Sequence, residues 1–319
     1  MNRTQILPIA VAALSAALGL ATALTGFAVG ETYTATRGEI SVTQMTTSTL
    51  KVPGATIYYE VRGSGPTLLI IPGGPQDAGV FSDIAARLAA QYTVVTYDPR
   101  GNSRSPFDGE AVALDVDVQA DDAAALIGAV GAPAYVFGTS GGAQIALNLA
   151  ARHPEVVKAV LAHEPPSYML LDDPSEALAA DKLIHDTYLS AGVDAAMGAF
   201  FGMNGLEDEA PADAPPAFEP SPEEAETFAR VSGNFEYWLA HGMMPLGRYR
   251  PDVDTLKQGE PVIIVAIGEK SAGQPIEAMA AALAEQLGTD PVSFPGDHMG
   301  FGPEAEAFTA AMHYAFDGR

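Results

Sequence analysis

The sequence predicts an α/β fold, a mostly parallel sheet flanked by helices, with a helical lid inserted late in the chain. Three observations lead there. From residue 56 onward, short β-branched apolar runs alternate with longer Ala-rich stretches of helical period, the pattern of parallel strands joined by crossover helices. The alternation breaks after Pro165 and Pro166 and resumes near Pro261. In between lies the room for a lid. A short strand also runs through GTSGG, residues 138–142, directly into an amphipathic helix.

Taken in order, residues 56–61, 67–71, 93–97 and 134–137 read as strands, followed by 157–163, 262–267 and 291–294. Residues 80–90, 116–130, 141–152, 276–287 and 304–316 carry apolar side chains three and four apart, so each buries one helical stripe against the sheet. The core is therefore expected at 45–166 and 251–319, with the lid at 167–250. Within the lid, 175–190 and 222–239 have helical period, whereas 207–222 is rich in Pro, Ala and acid and reads as a mobile loop. Phe200, Phe201, Phe235, Tyr237, Trp238, Met243 and Met244 either line an apolar pocket or form the lid's own core, and core is the commoner fate of such residues at helical spacing. The chain shows no internal repeat.

The bulk properties narrow the partners. A chain of 319 residues, 48% hydrophobic and 18% charged, has the composition of a globular protein. Forty acidic against sixteen basic residues give a net charge of -24, which repels phosphate backbones and anionic membranes. Nucleic acid is thereby excluded as a natural partner, and the substrate is expected to be a small molecule, neutral and partly apolar. With no cysteine there is no disulfide framework, thiolate nucleophile or cysteine-ligated zinc. Residues 6–29 carry no charge and follow Arg3, so residues 1–44 read as an export signal peptide or an uncleaved anchor plus linker. If translation begins at Met45 the protein is cytoplasmic instead. Nothing in the sequence specifies an oligomeric state.

The segment that carries chemistry is AYVFGTSGGAQIALNLAARHP, residues 134–154. A serine on a sharp strand-to-helix turn needs small neighbours, because side chains at Gly138 or Gly142 would strike the tight backbone. The turn presents the Ser140 hydroxyl at a helix N-terminus, where free amides favour developing negative charge. The plain alternative is that Ser140 merely caps the helix.

Here the chain resembles the α/β-hydrolase family from about residue 50 to its end, and three further motifs strengthen the likeness. IIPGGP, residues 70–75, is similar to the loop after the family's third strand, with Pro72 in place of the usual His. The resemblance implies an oxyanion hole from the amides of Gly74 and Gly141, since Pro75 has no N–H to give. A Gly-Pro turn without catalytic part is the alternative. YDPRGNSRS, residues 97–105, resembles a family loop in which Asp98 and Arg100 are structural. FPGDHMGF, residues 294–301, places His298 at the family's histidine position, where a neutral imidazole takes the serine proton and returns it to the leaving group. His153, His163, His185, His241 and His313 fall on predicted helices or strand ends, the places of packing or surface histidines.

The family's third triad member is commonly an Asp beyond the strand of VIIVAIGEKS, where this chain has Ser271. Three carboxylates remain as candidates: Glu164 in AHEPP, Glu269, and Asp297 beside the histidine. Glu164 is preferred, because some family members, haloalkane dehalogenases among them, take their acid from the end of that earlier strand. Glu269 is the alternative acid. The resemblance implies a serine esterase-like hydrolase acting on a carboxylic ester or lactone, with no cofactor and no metal. Proline iminopeptidase-like and perhydrolase chemistries are the neighbouring alternatives, as is a hydrolase fold that only binds.

Overall fold

A computed structural model describes residues 45–203 and 220–318. The N-terminal apolar segment and most of the acidic loop expected at 207–222 lie outside the described residues. The sheet has eight strands in the order β1-β2-β4-β3-β5-β6-β7-β8. They are β1 Thr46–Val52, β2 Ala55–Arg62, β3 Thr67–Ile71, β4 Thr93–Tyr97, β5 Ala134–Thr139, β6 Val157–His163, β7 Val262–Gly268 and β8 Val292–Phe294. β1, β2 and β4 pair antiparallel, and every pairing from β4 through β8 is parallel.

The parallel strands are apolar because helices cover both faces. β3, TLLII, is buried along its whole length, and its alternate residues part company: Leu69 and Ile71 join one core cluster, Leu68 and Ile70 the other. The first cluster is closed by α2 Val116–Val130, α3 Gly141–Arg152 and the later α9 Pro275–Leu287; the second by α1 Ser82–Leu88 and α10 Ala305–Asp317. Each fully buried Leu or Ile contributes roughly 1.5–3 kcal/mol, so this two-sided core holds the strand ends still. α2 begins where Asp115 accepts from the amides of Asp117 and Val118, the usual satisfaction of orphan helix donors.

Two differences from the sequence reading stand out. β1 was not expected as a strand: its burial is almost nil, so it carries no apolar period, and it is held by backbone pairing to β2 at the sheet's edge. The helix expected over 80–90 is a shorter α1, preceded by a 3-10 turn over Ala78–Phe81.

Between β6 and β7 the chain forms α4 Ser175–Ala191, α5 Val193–Met203, α6 Pro222–Tyr237, α7 Met243–Arg248 and α8 Val253–Gln258. Ser221 and Glu224 make a reciprocal capping box at the start of α6, with Pro222 in its first turn. At Trp238–Gly242 the helix widens into a π-helical turn before α7. These inserted helices own a separate apolar cluster that includes Ile184, Val231, Phe235 and Trp238. Among the described residues no helix is long and apolar enough to cross a membrane.

Candidate active site

The carboxyl ends of β3, β5, β6 and the loop after β8 converge on one cavity of about 710 Å³, open mouth included. Open parallel sheets put their sites at this edge. Gly74, Ser140, Gly141 and His298 line it from the core, and Pro166, Tyr168, Phe200, Trp238, Met243 and Leu246 from the insertion.

Ser140 sits between β5 and α3 with φ 54 and ψ -127, a backbone conformation that costs an L-residue about 1–3 kcal/mol. The turn is tight because a Cβ on Gly142 would strike the carbonyl oxygens of Ile71 and Pro72, and one on Gly138 the carbonyl of Gly142. The Ser140 side chain makes no capping hydrogen bond to α3, so a plain N-cap does not account for it. Its amide donates to His163 O at 2.9 Å instead, tying the turn to β6.

Directly after β6 comes Glu164, fully buried and also at positive φ, 46. Its two carboxylate oxygens are both engaged: Gly268 N donates to Oε1 at 2.7 Å, and His298 Nδ1 lies 2.7 Å from Oε2. Burial alone would raise this carboxyl, but the hydrogen bond and charge of the His298 ring, with smaller contributions from His163 and Ser271, outweigh it and hold it at about 2. Glu164 is therefore an anion at neutral pH. Behind it the chain is pinned: Gln144, itself buried, donates from Nε2 to Pro166 O at 2.7 Å, and Ser167 N and Tyr168 N close short turns on Pro165 and Pro166.

The other candidate acids lie elsewhere. Glu269 is exposed in a single 3-10 turn after β7, its carboxylate facing Ser293 Oγ at 3.5 Å. Asp297 accepts from the Met299 amide at 2.9 Å and so shapes the histidine loop. Among the candidates, only Glu164 pairs with His298. His163 is wholly buried among Phe137, Phe294 and Phe308, with Nδ1 3.1 Å from Thr139 Oγ1. Burial, aided by the His298 ring and opposed by Glu164, lowers it to about 4, so it packs as a neutral ring.

Gly74 has φ +48, open to glycine at little cost, and a Cβ on Gly141 would stand 3.6 Å from Gly74 N. The two glycines thus meet beside Ser140 at the cavity wall. Beneath the site, Asp98 is buried and accepts from Ala78 N at 3.0 Å and from Arg104, while Arg100 clamps Asp122 through bonds of 2.6 and 2.5 Å. These pairs fasten the loops under the cavity.

Of the aromatic and Met residues read as lid core or pocket wall, Phe200, Trp238 and Met243 face the cavity, whereas Phe235 packs within the insertion and Tyr237 against Phe107. Tyr168 and Leu246 also line the cavity and escaped the sequence reading; the break after Pro166 was their only signal.

A mostly parallel sheet of this order, with a serine at its central strand-to-helix turn and a carboxylate-paired histidine lining the same cavity, is the architecture of the α/β type of hydrolase. Residues 66–236 match the sequence model described as the alpha/beta hydrolase fold, and the chain belongs to that family. The chain is 36% identical over 270 residues to the uncharacterized hydrolase YraK of Bacillus subtilis, covering 83% of this chain and 94% of that protein. Among solved structures, the thermophilic esterase of Thermogutta terrifontis superposes with a TM-score of 0.65 at 18% identity, over 86% of this chain and 98% of its own. An N-acyl homoserine lactone degrading enzyme superposes with a TM-score of 0.62 at 21% identity, over 83% and 99%. The protein is an α/β-hydrolase enzyme.

Proposed function

We propose that the protein cleaves a carboxylic ester or lactone through an acyl-enzyme on Ser140. Ser140 Oγ attacks the carbonyl carbon, its proton passes to His298 Nε2, and the carbonyl π pair moves onto oxygen, where the Gly74 and Gly141 amides receive it. The adduct collapses, expelling the alkoxide, which takes the proton from the imidazolium. Water then attacks the acyl-enzyme with His298 as base, and Ser140 is released. Glu164 holds Nδ1–H on its own side, which leaves Nε2 unprotonated for the serine, and its charge stabilises the imidazolium.

The observation that carries this reading is the 2.7 Å pairing of His298 with a buried, ionised Glu164 at a cavity that Ser140 also lines. The substrate class follows from the walls: among the described residues lining the cavity there is no Asp, Glu, Lys or Arg, which supports a neutral, partly apolar acyl compound and weighs against an aminopeptidase, whose substrate amine calls for an acid. The inserted helices act as its lid.

Hydrolysis of p-nitrophenyl esters from acetate to decanoate, beside a Ser140→Ala control, tests the reading. Serine-dependent turnover is expected, its chain-length optimum measuring the depth of the cavity. Silence across the panel from folded protein, or turnover that survives in the control, would overturn it.

A further inference from the structure

Trp238 poses a question that the triad does not answer. Its side chain is buried, 5% exposed, and its indole Nε1 has no hydrogen-bond partner among the described residues. A buried N–H left unpaired costs about 1–3 kcal/mol, and such an orphan in a native fold calls for an explanation.

The surroundings supply one. Trp238 lines the same cavity as Ser140, Gly141 and His298. Nε1 would stand 3.6 Å from a Cβ placed on Gly74, the nearest atom beyond that glycine's own chain neighbours, and the amide nitrogen of Gly74 lies 3.6 Å from where a Cβ on Gly141 would stand. The indole is also held in place: it packs T-shaped on Phe200 with ring centroids 4.6 Å apart at 81°, and Gly242 lies close against it, where a Cβ would come within 3.0 Å of Cδ1, the carbon next to Nε1. The residue opens the π-helical turn Trp238–Gly242, a distortion that often marks functional positions in helices. A held donor, unpaired among the described residues and close to Gly74 on the wall that Ser140 and Gly141 share, is preorganised for an acceptor that arrives with the substrate.

We propose that Trp238 Nε1–H is a third donor to the substrate's carbonyl oxygen as it becomes an oxyanion, supplied by the inserted helices instead of the core. The inference rests on the serine reading above. It adds that the oxyanion site is complete only when the insertion is seated, so the insertion takes part in the chemical step as well as in covering the cavity.

Trp238 is the only tryptophan in the chain, which makes the test direct. The full chain, labelled with nitrogen-15, has one indole N–H resonance. Reaction with diethyl p-nitrophenyl phosphate places a phosphoryl oxygen on Ser140 where the oxyanion would form, and mass spectrometry of the Ser140 peptide verifies the adduct. The indole proton is expected to move downfield on adduct formation. An adduct on Ser140 with an unmoved indole overturns the Trp238 assignment while leaving the serine reading intact; no adduct on Ser140 overturns the serine reading, and the assignment with it. Kinetics give a second measure: Trp238→Phe keeps the ring and removes the donor, and should lower kcat on p-nitrophenyl esters roughly ten- to hundredfold with KM little changed. An unchanged kcat would refute the proposal.

Discussion

Replacing Asp181 by Asn should make the protein markedly less sensitive to alkaline pH. Asp181 lies on α4 behind the cavity wall, 6% exposed; Tyr168 OH reaches its Oδ1 at 3.4 Å, and its Oδ2 has no hydrogen-bond partner among the described residues. Burial pushes this carboxyl from 3.8 up to about 7, against the Tyr168 hydroxyl and the Arg248 charge, which pull it down. A folded-state value above the unfolded one means that the folded protein holds the extra proton between those two values. Its contribution is complete below about 3.8 and is lost as pH rises through about 7. At about 1.4 kcal/mol per pH unit, the full loss is on the order of 4 kcal/mol, of which roughly 3 falls between pH 5 and pH 8.5. Asn mimics the protonated acid and has no proton to lose. Urea unfolding of both proteins at pH 5 and pH 8.5 measures this, because every other titrating group cancels in the difference. The variant should gain roughly 3 kcal/mol over the wild type between the two pH values. Parallel pH dependences would show that the carboxyl titrates normally, and the argument from its burial would fail.

Other outcomes follow from the same geometry. Ser140→Ala should abolish ester hydrolysis while thermal unfolding stays cooperative; substantial residual turnover would remove the serine from the chemistry. Glu164→Gln should lower kcat by about 10³–10⁴ through loss of the correct tautomer, whereas Glu269→Gln, exposed and with its carboxylate on Ser293, should leave steady-state rates within about twofold; the opposite ranking would move the acid to the β7 loop. Phe308→Ala removes a fully buried ring that touches Phe137, Phe294 and His163, and chemical denaturation should show a loss of about 3–5 kcal/mol.

What could be read in the sequence is what local chemistry determines. Residues 67–71 announce a strand buried on both faces because every side chain but Thr67 is aliphatic, and GTSGG announces its turn because a Cβ at Gly138 or Gly142 has nowhere to go. β1 stayed hidden because an exposed edge strand held by backbone pairing leaves no apolar period. Glu164 and Glu269 both follow strands, so composition offers no choice between them; the tertiary structure turns Glu164 inward onto His298 and Gly268 and leaves Glu269 at the surface. Trp238 reads as ordinary core at helical spacing. That its Nε1 goes unpaired depends on what stands around it, which no single-sequence pattern records.

The proline pair after Glu164 has a mechanical consequence. Glu164 is anchored to the sheet by its backbone N–H, which donates to Ala266 O at 2.9 Å, and the next stretch is stiffened by Pro165 and Pro166 and tethered by Gln144. Proline fixes φ at both positions, so torque from the inserted helices is spent on residues beyond 166 before it reaches the carboxylate. The insertion can lengthen or be exchanged for another while the acid keeps its 2.7 Å distance from the histidine. A chain built this way is free to rewrite the stretch between β6 and β7, and with it part of the cavity wall, while the Glu164–His298 pair stays insulated from the change.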